Sequence, residues 1–106
     1  DGLPIQKEID AAAKQAGSKY PGQTMTEGWI GGMAIEAALK AAGASADRAK
    51  LRSTMENLTI DTKGLRGGPI VWTKDNHFRT QLYYRVYKWD GSKISRVQDW
   101  KNYAVK

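Results

Sequence analysis

Cysteine is absent from the 106 residues, histidine occurs once, and no apolar run approaches the length of a bilayer span. Without cysteine there is no disulfide, no thiolate metal ligand and no cysteine nucleophile. A single histidine with dispersed carboxylates is poor material for a metal centre, which takes several convergent ligands. A membrane helix needs about 20 consecutive apolar residues, and none is offered. Internal repeats and low-complexity stretches are also missing. The first residues carry no basic–apolar–small leader, a feature that a mature protein or the tail of a longer chain would equally lack.

Charge of one sign is not clustered either. The net charge is +6, but Lys7, Lys14, Lys19, Lys40, Arg48, Lys50 and Arg52 alternate with Glu8, Asp10, Glu36, Asp47 and Glu56. That interleaving describes a solvated face with a basic excess rather than a phosphate-tracking stripe. Nucleic acid is therefore not expected as a partner.

What is present reads as helices first and strands last. Pro4 suits a first helical turn, and Ile5, Ile9, Ala12, Ala13 and Ala16 recur at helical spacing, predicting a helix over about 4–16 closed by Gly17. Ser18 to Gly22 contains Pro21-Gly22 and reads as a loop. A second helix is predicted over about 26–42, with Thr24 or Thr26 as N-cap and Glu27 in its first turn. Its wide stripe of Trp29, Ile30, Met33, Ala34, Ala37, Ala38 and Ala41 implies burial between two other elements. A third helix, about 46–57, follows Ser45 as cap, with Leu51, Met55 and Leu58 inward.

After a glycine-rich loop, Asp61 to Pro69, the period changes to two. Strands are predicted over about 70–72, 80–89 and 93–100. Leu82, Tyr84 and Val86 fall on one face of the second strand, and Tyr83, Arg85, Tyr87 and Trp89 on the other. Asp90-Gly91 marks a hairpin turn. The aromatic set Trp72, Tyr83, Tyr84, Tyr87, Trp89, Trp100 and Tyr103 reads as a sheet packed on both faces. A stacking surface for single-stranded nucleic acid is the alternative. A sheet wanting cover on both faces, beside a doubly used helix, asks for more protein than these residues supply.

Chemistry is sparse. His77 with Asp75 would serve a hydrolase only if a nucleophile folded against them, and no catalytic residue is assigned. The Gly64-Leu65-Arg66-Gly67-Gly68-Pro69 loop lacks the phosphate-loop lysine pattern. Gly28, Gly31 and Gly32 stand close to the start of the second helix, although each costs roughly 1 kcal/mol against alanine. Tight helix packing is the first explanation, and close approach of a ligand a compatible second.

The ordered set of Tyr20-Pro21-Gly22, Gly28-Trp29, the Glu36 to Gly43 segment, Asp47 to Arg52 and Met55 to Leu58 resembles a known family. The match continues through Gly64 to Ile70, Asp75-Asn76-His77 and Tyr84 to Gly91. Together these are similar to the C-terminal region of type I periplasmic substrate-binding proteins, the branched-chain amino-acid-like receptors of ABC transporters. The resemblance implies an α/β fold in which residues 1–106 form one C-terminal segment of a larger two-lobe receptor, with no enzymatic activity and no cofactor. It implies a small-molecule ligand (an amino acid or similar carboxylate or amide) in an interlobe cleft, a permease as partner, and a periplasmic or extracellular location. Relatives place ligand-facing residues where the chain enters the second helix, which here means Thr24, Met25 and Thr26.

Overall fold

The computed structural model describes residues 2–20, 22–78 and 80–105. Helix α1 (Pro4–Gln15), helix α2 (Gly22–Ala42) and helix α3 (Arg48–Met55) precede four strands, β1 (Thr59–Ile60), β2 (Ile70–Val71), β3 (Gln81–Trp89) and β4 (Ile94–Ala104). The helix-then-strand order is the one predicted.

Helix α1 forms where its apolar spacing places it. Ile9 is fully buried, while Ile5, Ala12 and Ala13 are half-buried. It closes through a two-bond cap, Ser18 N donating to Ala13 O at 2.9 Å and Gly17 N to Lys14 O at 3.1 Å. Gly17 takes the left-handed φ of +66° that this cap requires.

Helix α2 starts at Gly22, four residues ahead of the predicted boundary, so neither Thr24 nor Thr26 is its N-cap. Thr26 is an interior helical residue whose hydroxyl, 2.8 Å from Gly22 O, is also 3.1 Å from Gln6 Oε1 of α1. A threonine that bonds back one turn occupies helix rather than ending it. Pro21, assigned to the preceding loop, lies outside the described residues. Ile30, Ala34 and Ala38 form the buried stripe, one turn apart, and Trp29, Met33 and Ala37 flank it half-buried. Ala41, predicted to join them, is exposed. Helix α2 packs against α1, α3 and β1, as a stripe of that width requires.

Helix α3 is shorter than predicted, and its N-cap is Asp47 rather than Ser45. The Asp47 carboxylate accepts the Lys50 N–H at 2.7 Å. Both residues are good caps, but only Asp47 stands immediately before the first helical residue.

Strands β1 and β2 pair antiparallel, Ile60 opposite Ile70. Strand β1 is absent from the sequence reading because two residues beside the apolar end of α3 carry no readable period. Between them Thr62 is buried, and its hydroxyl donates to Gly68 O at 2.9 Å. The hairpin β3–β4 turns through Asp90, whose Oδ1 accepts from Ser92 N and Lys93 N at 2.9 Å each. Two register shifts flank Val86, so β4 carries extra residues and runs to 11 against 9 in β3. The extra residues lie in β4, so the alternation predicted for Thr80 to Trp89 faces a partner strand whose own alternation is interrupted there.

The hairpin meets the rest of the chain at Gly67 and Gly68. A Cβ on Gly67 would stand 2.3 Å from Trp100 Cδ2, and one on Gly68 would stand 2.2 Å from Tyr83 Cζ. Its tip is bare. Trp89 is 61% and Ile94 68% exposed, so the aromatic strands are not covered on both faces by these residues. The accessible surface is 8032 Å², against about 5,900 Å² for a compact monomer of 11.8 kDa. The radius of gyration, 16.4 Å, likewise exceeds the roughly 13 Å of a compact domain this long.

Gly68→Ala is expected to destabilise the fold by about 1–3 kcal/mol, the usual cost of overpacking, and Gly67→Ala by more because its φ of +74° adds backbone strain. Urea unfolding followed by tryptophan fluorescence checks both.

Candidate ligand-binding site

The first turns of α2 present side chains in two directions. Thr24 and Met25 share one face with Gly28, Trp29, Gly32 and Met33, lining a shallow groove of about 480 Å³. Met25 is anchored there, its Sδ accepting from Ser18 Oγ at 3.3 Å. Thr26 faces α1 instead and borders a separate depression with Gln6, Asp10 and Leu65. The three residues carried over from the resemblance therefore do not form one cluster: Thr24 and Met25 stand together, and Thr26 stands apart.

The groove explains little of the glycine pattern by packing. A Cβ at Gly28, Gly31 or Gly32 would meet nothing within 4 Å. No contact inside the described residues requires these glycines, which corrects the packing explanation. Gly28 and Gly32 continue into Ile35 and Leu39, 61% and 52% exposed, as one bare stripe along α2, while Gly31 borders a separate depression with Ala34, Arg66, Ile70 and Trp72.

A deeper cleft of about 390 Å³ opens between α2, the glycine loop and the hairpin, walled by Gln23, Glu27, Arg66, Tyr83 and Trp100 among others. At its edge Arg66 Nη2 donates to Glu27 Oε2, tying the loop to α2 across 39 positions of sequence. The pair is partly open to solvent, Glu27 being 58% exposed, so its contribution to stability is at most about 1 kcal/mol. Arg66 Nε is buried and has no hydrogen-bond partner among the described residues. The sequence placed Glu27 in the first turn of α2, whereas the earlier helix start puts it beyond that turn, and gave Arg66 no role. The available signal was an arginine set among the glycines of that loop.

His77 does not pair with Asp75. Its Nε2 lies 2.8 Å from Glu56 Oε1, which also accepts from Arg52 Nε at 3.0 Å. The surrounding walls are Arg48, Leu51, Met55 and Trp72, with no hydroxyl or thiol nucleophile among them, so the hydrolase arrangement sketched from sequence does not assemble here. The rings of the hairpin are partly spoken for as well. Arg85 lies 4.6 Å from the Trp100 ring centroid and Lys101 5.4 Å from that of Tyr103, occupying faces on which a base would stack.

The Arg52 hydrogen bond, with that of His77, holds the Glu56 carboxyl below its ordinary value of 4.5, partly opposed by burial. A depressed folded-state pKa stabilises the fold above the unfolded value, and the contribution disappears as pH falls through the folded one. The Glu56 side-chain carbon is expected to titrate below 4.5, and Arg52→Gln to move the midpoint upward. Carbon-detected NMR across the acid range measures both.

Neither a curated protein nor a solved structure matches the chain. A family model described as periplasmic binding protein matches residues 2–93. Among the described residues no helix is long and apolar enough to cross a membrane. The family is one of solute-binding proteins, generally without enzymatic activity, and implies an extracytoplasmic location. With that match over most of its length, and with the mixed helix and strand seen here, the chain belongs to the periplasmic binding proteins, of the type I kind represented by the branched-chain amino-acid receptors.

Proposed function

We propose that the chain is the C-terminal segment of a two-lobe receptor that serves an ABC transporter in the periplasm or at the outer cell surface. The receptor binds an amino acid, or a similar small carboxylate or amide, noncovalently in the cleft between lobes and delivers it to a permease. The observation that carries this reading is the bare glycine stripe of α2 in a chain of this family. Three glycines that nothing in these residues needs make sense where a ligand or another backbone comes close. Thr24 and Met25 border that stripe, and the helix N-terminus beside them favours the anionic end of a ligand. Thr26 in this reading holds α2 against α1 at Gln6 rather than reaching the ligand. The surface excess of roughly 2,000 Å² over a compact monomer supports a larger protein around the segment. Ligand affinity then follows from lobe closure, which removes a small molecule from water on all sides.

The test separates stability from binding. Gly28→Ala and Gly32→Ala are each expected to raise the stability of the segment by up to about 1 kcal/mol, because alanine is the better helix former and the space is open. In the whole receptor the same changes are expected to weaken binding of the ligand found in a thermal-shift screen of leucine, phenylalanine, benzoate and acetamide. A receptor whose melting temperature responds to none of these but rises with a single-stranded oligonucleotide, the effect fading as salt increases, would sink the proposal.

A further inference from the structure

A third cavity, about 340 Å³, shares no wall with the groove at Thr24 or the cleft at Arg66. Its floor is apolar. Leu51 and Met55 project from α3 one turn apart, and Trp72, just past β2, closes the far side, all three half-buried. A floor of leucine, thioether and indole left open to solvent is the kind of surface that receives a single apolar side chain.

The rim is charged, and its charges do not balance. Arg52 and His77 both use the same oxygen of Glu56, at 3.0 Å and 2.8 Å. The one carboxylate at the cavity thus already faces two of its basic side chains through that oxygen. Arg48 lines the same mouth and has no hydrogen-bond or ion-pair partner among the described residues. Helix α3 also carries Lys50 and contains no acidic residue between Arg48 and Met55. An apolar pocket edged by an unanswered guanidinium, on a helix whose charges between its acidic caps Asp47 and Glu56 are all positive, is complementary to an apolar anchor flanked by carboxylates.

We propose that this cavity is a docking site for an acidic peptide segment of a partner protein. The segment inserts one aromatic or aliphatic side chain between Met55 and Trp72 and sets a carboxylate on Arg48. The Glu56 carboxylate keeps Arg52 oriented at the rim and repels a partner that brings its acid to the wrong side. The site is separate from the ligand cleft of the receptor reading and stands whether or not that reading does.

The experiment is fluorescence anisotropy of the protein with a fluorescein-labelled peptide, Asp-Glu-Phe-Asp-Glu, beside the same peptide with glycine for phenylalanine. Saturable binding with a Kd on the order of 100 µM is expected for the first peptide, falling as salt rises. The glycine peptide is expected to bind at least about tenfold more weakly. Arg48→Glu and the cavity-filling Leu51→Trp should each lower affinity by about tenfold or more, with far-UV circular dichroism confirming that α3 persists. Lys14→Glu on α1 changes net charge equally and should have a much smaller effect. Equal binding of the two peptides, equal losses from Arg48→Glu and Lys14→Glu, or phenylacetate binding as tightly as the peptide would each overturn the proposal.

Discussion

Two adjacent glycines lying flat beneath two aromatic rings hold the described parts of this chain together. Gly67 under Trp100 and Gly68 under Tyr83 leave no room for a Cβ, so the rings rest directly on backbone. The rest follows from that contact. Thr62 can donate to the Gly68 carbonyl only while the loop holds this path, and Arg66, two residues before Gly68, is thereby carried to Glu27 on α2. The cleft walled by Tyr83, Trp100 and Arg66 is the space left over when a hairpin is joined to a helical layer at so narrow a point.

The energetic balance explains why so little else is rigidly covered. The buried apolar residues are Ile9, Ile30, Ala34, Ala38 and Ile60, three of them on α2. Full burial of an isoleucine contributes about 1.5–3 kcal/mol, and of an alanine much less, so the core depends on its three isoleucines. The ion pairs lie at the surface, where solvent screens them. Hydrophobic stabilisation for the bare stripe of α2 and for the hairpin tip has to come from elsewhere. In the receptor reading proposed above, further protein and the ligand would contribute there.

Function and fold therefore converge on α2 from opposite sides. Its inner face, Ile30, Ala34 and Ala38, is spent on α1, α3 and β1, while its outer face carries glycines whose only local effect is to weaken the helix. A helix tolerates that weakness when tertiary packing fixes its other face. The groove holding Thr24 and Met25 lies beside that outer face, whereas the Arg66 cleft and the apolar cavity at α3 take their walls from residues distant in sequence.

Local spacing was sufficient for the order of elements, the buried faces of α1 and α2 and the Asp90 turn. In each of these the information sits within a few residues and is read by a periodicity or by a side chain bonding its own neighbourhood. Helix starts were less legible, because Thr24 and Thr26 resemble caps yet stand inside α2, and Asp47 competed with Ser45. What only the tertiary structure decided is every pairing made across the chain. Arg66 with Glu27, His77 with Glu56 rather than Asp75, Trp100 on Gly67 and the shifts around Val86 all depend on the path of the loops between them. A path is set by the summed packing of all elements, so no single segment encodes it.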